Sequence, residues 1–179
     1  YHLTRILLAE RRFDEAKDVA RLAWVNLNMK RTIETQFRRQ YSKLLRPEDH
    51  IARLNRLLWD RRAKGAKRQL RQMSHEYQSL GLARIALMKR QPGVDYAISK
   101  VPRSLIDDPG LVYERIRWRR KNQLYETAIE LLEQIDKPVK AAKKWWIERR
   151  LLTRWLLGKE RKQKAYDLVR AHGHISGLP

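Results

Sequence analysis

Cysteine is absent from the 179 residues, which excludes disulfide staples, thiolate metal sites and a cysteine nucleophile. The compartment stays open, because cysteine-free chains suit reducing and oxidising spaces alike. Apolar runs are only a few residues long, as in "IALM", far short of the roughly 20 needed to span a bilayer; no transmembrane segment is expected. Asn-Gly and Asp-Gly hairpin turns are missing, as are alternating strand patterns, which argues against sheet. No glycine-rich phosphate loop, nucleophile elbow or HExxH occurs, so the familiar local signatures of NTPases, hydrolases and zinc peptidases are excluded.

What the sequence does contain is apolar residues spaced three and four apart almost throughout, the signature of amphipathic helix. The fold class expected is all-α. Seven glycines and six prolines punctuate the chain. Pro47, followed by Glu48 and Asp49, fits the first turn of a helix, as does Pro138, while Gly93, Gly158 and Gly173 fit breaks or C-caps. The pattern predicts helices near 2–11, 13–27, 30–44, 47–61, 63–73, 76–90, 94–100, 109–121, 123–135, 138–157 and 161–171. No long polar linker interrupts them, so residues 1–179 read as one continuous helical segment.

A degenerate repeat runs through these helices. A short polar turn leads to a small residue in "RFDEA" (Ala16), "RAKGA" (Ala66), "GVDYA" (Ala97), "QLYETA" (Ala128) and "KQKA" (Ala165), the last four alanines lying 31, 31 and 37 residues apart. That period is close to that of helix-hairpin repeats, in which a small residue lets paired helices approach closely. The architecture expected is a superhelix, or solenoid, of stacked antiparallel helix hairpins.

Charge is the strongest compositional feature: 41 lysines and arginines against 20 acids, a net +21. Such a surplus attracts polyanions, whether nucleic acid, acidic lipid or a carboxylate-rich polymer. The cations are spread along the chain rather than gathered in a tail, which fits solvated helix faces as well as a dedicated patch.

Candidate ligand residues cluster in two arginine-rich stretches. On a helix over residues 145–157, Trp145, Ile147, Leu151, Leu152, Trp155 and Leu156 share one broad face and read as core. Trp146 falls on the other side with Arg149, Arg150, Thr153 and Arg154. Trp146 either stacks under an arginine such as Arg150, as structural packing, or offers a platform to a sugar ring or base. Glu148 lies within the apolar face, where a carboxylate is costly unless paired, and an arginine of a neighbouring helix is its expected partner. Around residues 113–126, Leu111, just before the stretch, and Trp118 are expected to share a buried stripe, leaving Arg119 and Arg120 to water or ligand. The ligand-binding set is therefore Trp146, Arg149, Arg150, Arg119 and Arg120. His172 and His174 flank a glycine without a third ligand of suitable spacing, which makes a poor metal site. No metal, no cofactor and no catalytic residue are assigned.

Three blocks, "LRPEDHIARLNRLLW", "VPRSLIDDPGLVYERIRWRR" and "WWIERRLLTRWLLGKERKQKAYDLVRAHGHISG", resemble the helical superhelix of soluble lytic murein transglycosylases, particularly alphaproteobacterial ones. The similarity runs in order from about residue 41 onward; residues 1–40 fit the preceding helices less distinctively. The resemblance implies a periplasmic protein in which a long α-superhelix forms a ring or horseshoe. It also implies a lysozyme-like domain further along the chain that cleaves the glycan between N-acetylmuramic acid and N-acetylglucosamine, leaving a 1,6-anhydro product. In that family a glutamate followed by serine serves as acid and then base. No Glu-Ser pair occurs in these residues, so no catalytic role is carried over, and the expectation is a non-catalytic scaffold segment of a longer enzyme, inactive alone. Its expected partners are peptidoglycan strands and the catalytic domain in cis. Two other readings of the residues remain open: a helical-repeat module gripping RNA or DNA, and a protein-interaction scaffold resembling tetratricopeptide repeats.

Overall fold

The structure is a computed structural model that describes residues 2–135 and 141–170. Among these residues it is all-α, with no strand. The helices are α1 (His2–Ala9), α2 (Phe13–Asn26), α3 (Arg31–Tyr41), α4 (Pro47–Trp59), α5 (Ala63–Gln69), α6 (His75–Lys89), α7 (Val94–Ser99), α8 (Pro109–Lys121), α9 (Tyr125–Glu133), α10 (Ala142–Gly158) and α11 (Lys162–Arg170). Every helix expected from the periodicity is present. Two of them tighten before their expected ends, α3 and α5 each giving way to a 3-10 turn, at Ser42–Leu44 and Leu70–Gln72. The expected helix start at Pro138, the cap at Gly173 and the histidine pair lie outside the described residues.

One kind of turn ends five of the helices. Arg11, Arg61, Arg90, Gln123 and Glu160 all adopt left-handed backbone, with φ of 60°, 57°, 55°, 64° and 58°. Each donates its N–H to the carbonyl three residues back, and the next residue donates to the carbonyl five back, as in Gln123 to Arg120 (3.1 Å) and Leu124 to Arg119 (2.9 Å). This double bond satisfies carbonyls that the end of a helix leaves orphaned. Glycine is the residue such turns ordinarily favour. Gly158, expected as a cap, sits inside α10, and Glu160 takes the strained position two residues later.

The alanines of the repeat follow these turns. Ala16, Ala66, Ala128 and Ala165 are almost wholly buried, and each lies five residues past a left-handed residue. Ala97 is only half-buried; Pro92 and Gly93 lengthen its turn, and Gly93 itself takes φ 75° ahead of α7. Within the pairs joined by the short form of the turn, α1 packs on α2, α4 on α5, α8 on α9 and α10 on α11.

The described chain divides into two compact units, Tyr1–Gly81 and Leu82–Pro179. In the first, Trp24 stacks on Phe37 at 5.6 Å and Phe37 meets Tyr41 edge-on at 5.0 Å, with Ala20 and Ala23 completing the cluster. The Arg53 guanidinium lies 4.2 Å above the Trp24 ring and is 1% exposed. It donates to the Trp24 and Leu27 carbonyls, while Arg56 donates to those of Val25 and Leu27. Two cations of α4 thus cap the C-terminal end of α2, where the helix dipole is negative. Glu34, also buried, accepts from Arg53 (3.5 Å) and from Arg68 (2.8 Å). Burial pulls Arg53 down to about 10 despite this partner, which reflects the cost of removing a guanidinium from water.

In the second unit, Asp108 caps α8 by accepting the Leu111 N–H at 2.9 Å, beside Pro109 at the first helical position. The same carboxylate pairs with Arg84 at 3.3 Å. Gly110 makes room for Arg84, since a methyl at Gly110 overlaps the buried guanidinium. No described helix is long and apolar enough to cross a membrane.

Candidate functional site

The two arginine-rich stretches become α8 and α10, which pack together in the second unit. Their seam is aromatic: Tyr113 meets Trp145 edge-on at 5.4 Å. Between α9 and α10, Tyr125 stacks on Trp155 at 4.8 Å. Glu148 is 1% exposed, as its place on the apolar face of α10 requires, and its partner is the expected arginine of a neighbouring helix. Arg120 of α8 forms a two-pronged pair with it (2.5 and 3.1 Å), and Arg117 approaches at 3.7 Å. The hydrogen bond to Glu148 raises the Arg120 guanidinium above its ordinary value against the opposing pull of burial.

Of the five candidate ligand residues, three arginines donate hydrogen bonds within the fold. Arg120 holds Glu148. Arg119 donates to the Thr127 carbonyl of α9 at 2.8 Å, and burial, then the neighbouring Arg115, lower its pKa. Arg149, expected on the solvent side of its helix, is 2% exposed and donates to the Leu168 carbonyl of α11 at 2.5 Å. Burial lowers its pKa too. Arg149 therefore does for α11 what Arg53 and Arg56 do for α2. Periodicity alone did not place Arg149 inside, because a guanidinium that caps a helix end behaves as a core residue despite its charge.

The other two, Trp146 and Arg150, lie four apart on α10, Trp146 half-buried and Arg150 exposed. The solvent face there is a stripe of Lys143, Ile147, Arg150, Arg154 and Leu157, spaced by three and four. Ile147, read from sequence as core, is 44% exposed. The stripe mixes three cations with two aliphatic side chains, and Arg150 and Arg154 have no ion pair among the described residues. Such a surface suits a polyanion that also presents apolar or sugar-ring faces. The 3–4 spacing of these five residues was readable in the sequence; what hid it was the placement of Ile147 on the inward face.

Trp118 is half-buried and lines a cleft of about 200 Å3 with Ile98, Asp95, Arg115 and Arg119. Here Asp95 already supplies a countercharge to the arginines. Among the described residues no group of three or more histidines and carboxylates is placed to hold a metal. In comparisons with known proteins, no family model, no curated protein and no solved structure matches the chain.

Proposed function

We propose that the chain is a length of non-catalytic helical scaffold from a periplasmic peptidoglycan lytic transglycosylase, and that its helix pairs stack as an antiparallel-hairpin superhelix. The observation that carries the architectural part is the recurrent left-handed turn followed five residues later by a buried alanine, which supports one repeating helix-pair unit. The ordered resemblance of three sequence blocks to that enzyme family supports the functional part. Peptidoglycan stem peptides carry free carboxylates, and the exposed cations of α10, flanked by Trp146 and Ile147, form a surface suited to a carboxylate-bearing glycan. The catalytic acid belongs to another part of the enzyme, so this segment binds and positions strands without cutting them.

The test is co-sedimentation of the purified chain with sacculi over a salt series, with RNA as competitor. Binding that survives competing RNA supports a peptidoglycan-facing scaffold. Binding removed by RNA and by modest salt instead marks generic polyanion attraction, as for a nucleic-acid-binding helical array. Release of anhydro-muropeptides by this chain alone would overturn the non-catalytic assignment.

A further inference from the structure

The first unit holds a second cationic surface, and its lining differs from that of the other two arginine-lined clefts. A cleft of about 320 Å3 is lined by Thr35, Arg38 and Arg39 of α3, Ser42, His50 of α4 and Gln72. No carboxylate lines it. Of the acids carried by the same two helices, Glu48 is exposed and does not line the cleft, and the two buried ones face other partners. Glu34 is held by Arg53 and Arg68, and Asp49 accepts the Arg46 backbone N–H at 2.8 Å with Arg21 and Arg46 alongside. By contrast, the cleft beside Arg115 and Arg119 contains Asp95, and the one beside Arg21 and Arg46 contains Asp18 and Asp49.

Arg38 is half-buried, and its Nε is shielded from solvent with no hydrogen-bond partner among the described residues. The Nε atoms of Arg53 and Arg84 are shielded in the same way, but those two guanidiniums pair with Glu34 and Asp108 through their other nitrogens. A partly desolvated guanidinium without a counter-ion is unfavourable, and an incoming anion relieves it. Arg39 is exposed at the rim, Ser42 adds a hydroxyl donor and Gln72 an amide, while the Thr35 hydroxyl donates to the Arg31 carbonyl at 3.0 Å. His50 lines the same cleft with its ring fixed: Nδ1 lies 3.1 Å from Gln69 Nε2, and the Trp24 ring meets it edge-on at 5.5 Å.

We infer that this cleft binds a single small carboxylate, held by Arg38 and Arg39, with His50 in the lining as its reporter. A planar carboxylate matches the fork of a guanidinium, as a phosphate does, and the phosphate arm of the titration separates the two. Resting on the peptidoglycan reading, the inference assigns the group bound as the free C-terminal carboxylate of a stem peptide, a contact separate from the α10 stripe.

The experiment is an NMR titration of the whole chain, following the His50 ring, with an N-acetylated alanine-terminated tripeptide in two forms, free acid and C-terminal amide, and with inorganic phosphate as a third probe. The expected result is saturable movement of the His50 resonances by the free acid only, with affinity reduced about tenfold in both Arg39→Gln and Arg38→Gln, the loss set by one charge-assisted pair. Arg39 is exposed, so Arg39→Gln keeps the test valid should Arg38→Gln fold poorly. Equal response to acid and amide, or no response of His50, overturns the inference. Tighter binding of phosphate than of the free acid overturns the carboxylate assignment. The two readings fail separately. Sacculus binding that persists in Arg39→Gln while the tripeptide has no effect removes this cleft and leaves the scaffold proposal standing, whereas loss of all sacculus binding to competing RNA removes the scaffold proposal even if the tripeptide binds.

Discussion

Arginine plays two distinct parts in this molecule, and substitution separates them. Arg120 neutralises a carboxylate that is 1% exposed, so Arg120→Ala leaves Glu148 with only the more distant Arg117 and is expected to cost about 3 kcal/mol, the usual penalty for orphaning a buried charge. Arg150→Ala, on the exposed stripe, is expected to change stability by no more than about 0.5 kcal/mol. Urea denaturation of both variants checks this, and a near-neutral Arg120→Ala contradicts the structural role assigned to it. His50 gives a pH-dependent counterpart. Burial, reinforced by Arg38 and Arg53 and opposed by Asp49, lowers its pKa below the ordinary histidine value. The unfolded chain therefore takes up the proton first as pH falls below about 6.5, and stability declines through the window down to the lowered pKa. His50→Gln is expected to flatten that part of the stability profile, and an unchanged slope contradicts it. At this scale the sequence was only half legible. The need of Glu148 for an arginine could be read from its place in an apolar face, but nothing local distinguishes Arg149, a cap for another helix, from Arg150, one residue later and free in solvent.

Helices were the most legible elements, since three-four periodicity reports burial directly and burial is what stabilises each of them. Their ends were less so. Glycine was expected at the breaks, yet five turns place arginine, glutamine or glutamate in left-handed backbone, each at a cost of about 1 kcal/mol that glycine avoids. Gln123→Gly and Glu160→Gly are accordingly expected to leave stability unchanged or raise it by up to about 1 kcal/mol, measured by thermal unfolding. A loss above about 1 kcal/mol in either contradicts the turn geometry. The buried alanine beyond the turn behaves oppositely. Ala128 has no exposed surface, so Ala128→Leu forces α8 and α9 apart and is expected to cost about 2 kcal/mol or more. Gly110→Ala meets the buried Arg84 guanidinium, which Asp108 holds in place, and belongs to the same class.

Over the whole molecule, a net charge of +21 looks at first like a single statement about partners. Part of it is internal: Arg53, Arg56, Arg119 and Arg149 satisfy carbonyls, and Arg84 and Arg120 satisfy carboxylates. Composition could not reveal this division, because it depends on which guanidinium reaches which helix end after packing. What remains for a partner is the surface charge, and on α10 it is ordered with Trp146 into a mixed cationic and apolar stripe. The measurement that tests this account most directly compares sacculus binding by the unaltered chain with that of the Arg150→Glu, Arg154→Glu double variant, alongside their unfolding midpoints. The account predicts binding weakened about tenfold or more, as two reversed surface charges imply at moderate salt, with an unchanged midpoint. Undiminished binding by a fully folded double variant would contradict it.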